Sequence, residues 1–138
     1  MRYLGLDVGE KRIGIAISDP SNIIAQPVMV IKRGAGDFEQ IRKIIVENNV
    51  GEVVIGLPVN MNGTIGKSAE AMYAFVEEMK KFIHVPVVFI DERFSTQEAE
   101  KMLISADVRR EKRKKTIDKI AAALILEGRL RQIGMKNT

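Results

Sequence analysis

The chain has 138 residues, 46% hydrophobic and 29% charged, with no cysteine, one histidine and a formal net charge of +4 at pH 7. This composition fits one soluble globular domain over residues 1–138 and excludes a disulfide framework, a thiolate nucleophile and a Cys/His zinc site. No apolar run is long enough for a membrane helix and the N-terminus lacks a signal-peptide layout, so the expected location is the cytoplasm, with no membrane partner.

Two β-type runs come first, Tyr3 to Val8 and Ile13 to Ser18, flanking the polar turn Gly9-Glu10-Lys11-Arg12. Leu4, Leu6 and Val8 share one face of the first run, and Ile13, Ile15 and Ile17 share one face of the second. A hairpin aligns these rows and leaves Asp7 on the other side among Gly5, Gly14, Ala16 and Ser18, none of which crowds it. Ala25 to Ile31 is a third strand, and Pro27 places it at a sheet edge. After Gly34-Ala35-Gly36, Asp37 can cap a helix running to about Asn49, with Phe38, Ile41, Ile44 and Ile45 on its apolar stripe.

Glu52 to Leu57 is nearly all apolar, as a buried parallel strand requires, and Pro58 to Gly66 is a polar loop at its end. The next helix, about Lys67 to Ile83, repeats Met72, Phe75, Val76, Met79, Phe82 and Ile83 at three and four. Gly66-Lys67-Ser68 does not complete a phosphate-binding loop, because the required earlier glycine falls on Met61, so it reads as helix entry. Val85 to Ile90 is a further buried strand running into Asp91-Glu92-Arg93. Ser95 and Glu98 form a capping box for a helix with Ala99, Met102, Leu103 and Ala106 inward. Arg109 to Lys115 (RREKRKK) reads as a basic loop. A last helix, about Thr116 to Gln132, buries Ile117, Ile120, Ala121, Leu124 and Ile125.

The predicted fold is therefore α/β, a mixed five-stranded sheet of three antiparallel strands and then βαβ units, flanked by helices. In such sheets, sites gather at the carboxyl ends of the parallel strands. Asp7, the loop holding Asn60, and Asp91-Glu92 converge there. Asp118, in the first turn of the last helix, borders the stripe of Ile117, Ala121 and Ala122. Taken alone, Asp7 also reads as a polar residue leaving a strand, and Asp118 as an acid complementing the helix dipole. The basic run holds six cations and one acid; taking its +5 from the total of +4 leaves the rest of the chain at −1. Its position just before Asp118 favours contact with phosphates over a merely solvated loop. Lys11 and Arg12 extend the same patch, and Arg93 either clamps a phosphate or pairs with Asp91. His84, between a helix and a strand, reads as structural. An aromatic content of 5% argues against a platform for stacking single-stranded bases.

LGLDVGEKRIGIAISD, IGLPVNMNG, DERFST and the basic run followed by TIDKIAAALIL resemble the YqgF (RuvX) family of Holliday junction resolvases and pre-16S rRNA nucleases. The resemblance covers nearly the whole chain and implies an RNase H-like fold, in agreement with the element order. It implies that Asp7, Glu92 and Asp118 are the catalytic acids and metal ligands, with Asp91 a fourth candidate ligand. It further implies a site for two Mg²⁺ or Mn²⁺ ions, which prefer oxygen ligands. Lys11, Arg12, Asn60, Arg93, Arg109, Arg110, Arg113, Lys114 and Lys115 are the expected nucleic-acid contacts beside these acids. The expected partner is structured RNA or branched DNA, and the expected state a monomer or weak homodimer. The chain departs from related resolvases at one point: Leu57-Pro58-Val59-Asn60 carries no acid after the fourth strand, so Glu92 has to reach from the fifth. The lead expectation is a metal-dependent nuclease maturing the 5′ end of pre-16S rRNA. The alternatives are a junction resolvase, a non-catalytic nucleic-acid-binding factor in transcription or ribosome assembly, and half of a sugar-kinase-like ATPase.

Overall fold

The structure, a computed structural model, describes residues 1–58, 66–91 and 110–136, with only the backbone for 110–118 and 135–136. Its strands are β1 (Arg2–Val8), β2 (Arg12–Ser18), β3 (Ala25–Lys32), β4 (Val50–Leu57) and β5 (Val87–Asp91). Its helices are α1 (Asp37–Glu47), α2 (Lys67–Met79) and α3 (Arg110–Lys136). The strands form one sheet in the order β3-β2-β1-β4-β5, antiparallel from β3 to β1 and parallel from β1 to β5. The predicted mixed sheet is thus the observed one, and β3, with Pro27 beside a register shift, is an edge strand.

The hairpin register explains the two faces. Leu4 pairs with Ile17, Leu6 with Ile15 and Val8 with Ile13, so the aliphatic rows coincide. With Val53 and Ile55 they build the main core under Ile41 and Ile45 of α1 and Met72, Phe75, Val76 and Met79 of α2. The opposite face is small: Gly5 pairs with Ala16 and Asp7 with Gly14. That face takes α3, through Ala122, Ile125, Leu126 and Leu130 against Ala16 and Val54. The residues that leave Asp7 uncrowded therefore also seat a helix. At Gly5 the approach is closest: a Cβ there would lie 2.7 Å from the Ala122 carbonyl oxygen and 2.8 Å from the Leu126 Cβ.

Several details differ from the sequence reading: α2 ends at Met79 and not near Ile83, which leaves Phe82 outside the helix and exposed. The run Arg110 to Lys115 is not a loop but the first turns of α3, which is 27 residues long, so Asp118 lies more than two turns into the helix and not in its first turn, where it could complement the dipole. Lys, Arg and Glu are good helix formers, and their lack of apolar periodicity hides a helix from pattern reading. The buried stripe of α3 includes Ala122, Leu126 and Leu130 beside Ala121 and Ile125, whereas Leu124 is only half-buried. At α1 the cap position is held by Gly36 with φ 86°, and Asp37 is the first helical residue. Its buried carboxylate still serves the helix start, accepting from the Gly34 and Phe38 N–H groups at 3.0 and 2.7 Å. The helix predicted from Ser95, with its capping box, lies outside the described residues. Among the described residues no helix is long and apolar enough to cross a membrane.

Candidate nuclease site

Asp7 is the penultimate residue of β1 and half-buried, on the face shared with Gly5 and covered by α3. Asp91 is the last residue of β5, at the same carboxyl edge. The rungs Leu6–Ile55, Ile55–Phe89 and Leu57–Asp91 put β4 between the two acids. Their strands are two spacings apart, ~10 Å. Alternation separates them further. Asp91 shares a face with Val87 and Phe89, which pack on the main core, so it stands on the side of the sheet opposite Asp7.

Asp118 lies on the backbone of α3, one turn before Ala122. Ala122 sits on Gly5, and Gly5 is two strand residues before Asp7. Four helical residues advance ~6 Å and two strand residues ~6.6 Å. At the other end of the contact, Arg129 of α3 meets Glu52 at the level of Tyr3, so the helix runs antiparallel to β1. Asp118 is therefore carried to the level of Asp7. Helical phase places it on the line of Ile125 and Arg129, the side of α3 that meets the sheet.

Glu92, Asn60, Arg93 and Arg109 lie outside the described residues, and Arg110, Arg113, Lys114 and Lys115 are placed by backbone alone. Among the described residues, no group of three or more acids, histidines and cysteines converges as a metal site. His84 is exposed in the link before β5, at the end of the sheet away from Asp7. Donors near the Asp7 edge are thus oxygens, a set that suits a hard divalent ion.

The turn beside Asp7 is firmly held. Gly9 N–H donates to the Arg12 carbonyl at 2.8 Å, and Arg33 N–H donates to the Lys11 carbonyl at 3.0 Å. The Arg33 guanidinium donates to the Gly9 carbonyl at 2.9 Å and stacks 5.2 Å from the centre of the Phe75 ring. Lys32 and Arg33 join Lys11 and Arg12 at this corner, and Arg12 stands directly across from Lys32. The sequence reading missed Lys32 and Arg33; a strand end returning to a first-strand turn is the signal that could have found them. It also missed the Glu52–Arg129 pair, in which Arg129 donates from Nε and Nη2 at 2.9 and 3.0 Å. The bonds to Glu52 push the Arg129 pKa above its ordinary value, against the opposing effect of burial. A groove of about 700 Å³, lined by Arg33, Asp37, Phe38, Phe75 and others, lies on the α1–α2 face and takes no part in this site.

An antiparallel hairpin running into two parallel strands, with a long helix across its small-residue face and an acid at the end of β1, defines the class. This is the RNase H-like fold of junction resolvases. The Holliday junction complex of Thermus thermophilus RuvC has a similar chain, with TM-score 0.56, 15% identity and coverage of 97% of this chain and 96% of that one. The fowlpox virus resolvase in complex with junction DNA gives TM-score 0.56 at 13% identity, covering 96% and 99%. The chain belongs to the RuvX family, described as Holliday junction resolvase, whose model matches residues 1–132. A relative from Carboxydothermus hydrogenoformans, named "Putative pre-16S rRNA nuclease", is 55% identical over 132 residues, covering 94% of this chain and 96% of its own. One of the same name from Thermoanaerobacter pseudethanolicus is 50% identical over 133 residues, covering 94% and 96%.

Proposed function

We propose that this protein is a metal-dependent nuclease that hydrolyses phosphodiester bonds in nucleic acid and matures the 5′ end of pre-16S rRNA. The observation that carries the reading is the seating of α3 on Gly5, which brings the backbone of Asp118 to the level of Asp7. The names of the relatives favour a ribosomal RNA substrate.

Asp7, Glu92 and Asp118 would hold the divalent ions. Mg²⁺ or Mn²⁺, when bound, supplies activation of a water and charge neutralisation at the leaving oxygen. Asp7 presents its carboxylate from a strand held on both sides by ladder bonds, so little reorganisation is needed on binding. Asp91 is the fourth candidate ligand; its place at the same carboxyl edge supports it, and its position on the opposite face of the sheet from Asp7 counts against it. Lys11 and Arg12 at the turn, with Asn60, Arg93, Arg109, Arg110, Arg113, Lys114 and Lys115, would neutralise phosphates flanking the scissile bond.

The test offers purified protein an RNA carrying the 5′ precursor segment of 16S rRNA, and separately a four-way DNA junction, with Mg²⁺, Mn²⁺ or chelator. Cleavage of the RNA at a defined position, lost with chelator, is expected. Paired cuts in the junction alone would instead favour the resolvase reading, which needs a symmetric dimer and a matching solution mass. Tight binding with no cleavage of either substrate would favour a non-catalytic binding factor.

A further inference from the structure

The surface by which α3 meets the sheet is made of small and aliphatic side chains, Ala122, Ile125, Leu126 and Leu130 over Gly5, Ala16 and Val54. Burial of such a surface attracts without direction, so it holds the helix down but resists sliding and rolling only weakly. Glu52 and Arg129 supply direction. Two bonds between planar groups, from Nε to Oε2 at 2.9 Å and from Nη2 to Oε1 at 3.0 Å, fix both the height and the roll of the helix at that point. The side chains are 18% (Arg129) and 12% (Glu52) exposed, so solvent screens the pair little.

Stability alone does not account for such a pair, because apolar groups of similar volume serve a mostly buried position as well or better. Its place on the lever does. Arg129 follows Asp118 by eleven residues, ~16 Å along the axis and within ~20° in phase. Glu52 stands on the rung of Tyr3, four strand residues or ~13 Å before Asp7. The fork grips α3 at Arg129, and the same continuous helix carries Asp118 eleven residues earlier.

We propose that Glu52 and Arg129 are positioning residues, which set the register of α3 on the sheet and so the placement of Asp118 relative to Asp7. The proposal rests on the carboxylate site described under the proposed function. Neither residue touches substrate or metal; both act through the helix.

The test measures Mn²⁺ affinity by electron paramagnetic resonance on protein free of nucleic acid, well below the thermal midpoint. The variants are Asp7→Asn, Arg129→Lys and the double change Glu52→Gln with Arg129→Met. Arg129→Lys keeps the charge but loses the fork. The double variant leaves no unpaired buried charge, so it is expected to fold where a single truncation fails. Loss of Mn²⁺ affinity on the order of tenfold is expected in both, since displacement of a ligand by about 1 Å is costly. kcat is expected to fall with KM for nucleic acid unchanged, and nucleic-acid affinity without metal is expected to hold. A purely structural pair would lower the thermal midpoint and leave these readouts untouched. Wild-type Mn²⁺ affinity and kcat in the double variant would overturn the positioning role while leaving the site intact. No Mn²⁺ binding by the wild type, or binding indifferent to Asp7→Asn, would remove the carboxylate site and the positioning role with it.

Discussion

Alternation along β1, Leu4-Gly5-Leu6-Asp7-Val8, puts the Asp7 carboxylate on the face that the apolar row does not use. The same alternation separates Asp91 from it, since Asp91 follows Val87 and Phe89 on the other face. Asp118 stands more than two turns into α3, out of reach of the dipole at its start, so if it holds no metal Asp118→Asn is expected to change stability by no more than about 0.5 kcal/mol and to leave cleavage intact. If it holds metal, the same change removes charge but keeps shape. Hydrolysis is then expected to fall by orders of magnitude, while binding to nucleic acid without metal persists or tightens. Asp7→Asn is expected to behave alike, and the double variant to be little worse than either single one, because groups acting as a unit are not additive. Single-turnover cleavage of the three variants checks this, and full activity in Asp118→Asn would leave the site without its helix acid. The Glu52–Arg129 pair was not legible, because its partners are 77 residues apart and neither sits in a motif.

At the scale of elements, the strands could be read because their buried faces impose alternation or continuous apolar runs. Helix α3 could be read only from its apolar part. Its basic first turns carry no stripe, so composition suggested a loop where the chain is helical. That correction changes the expected behaviour of the basic run. Cations in the first turn of a helix oppose the dipole and each other, costing a few tenths of a kcal/mol apiece, about 0.3 or more at low salt. Changing Arg110, Arg113 and Lys114 to Ala is therefore expected to leave stability equal or slightly raised while weakening nucleic-acid binding. The slope of log affinity against log salt should flatten by up to ~0.9 per lost contact on duplex DNA and ~0.7 on single strands. An unchanged slope would place the run away from the substrate. Gly5→Ala tests the seat of the same helix. Its Cβ would meet backbone oxygen at 2.7 Å, which no side-chain rotation relieves. About 1–3 kcal/mol of lost stability is expected by thermal denaturation, with a loss of cleavage at temperatures where the variant is still folded.

Over the whole molecule, the apolar core and the chemical edge are kept apart. The main core lies on the α1–α2 face, under side chains such as Leu4, Leu6 and Ile55 that are fully buried. Asp7 and the backbone of Asp118 belong to the other face and the carboxyl edge, brought there by β1 from one side and α3 from the other. If Asp7, Glu92 and Asp118 form the proposed cluster, they repel one another without metal, and the chain's own folding energy has to hold them together. An ion that binds only this arrangement stabilises the fold by mass action, about 2.7 kcal/mol when free metal is a hundred times its dissociation constant. For a domain of 138 residues this corresponds to roughly 10 °C in thermal midpoint, taking ~4 °C per kcal/mol. The measurement compares Mg²⁺ or Mn²⁺ with chelator at matched ionic strength, so that general screening of the basic run is the same in both. The rise is expected to vanish in Asp7→Asn, whose metal-free midpoint should itself be equal or higher because one repulsive charge is gone. A rise that survives Asp7→Asn would mean that the ions stabilise the protein elsewhere, and an unchanged wild-type midpoint would mean that no such cluster binds metal with useful affinity.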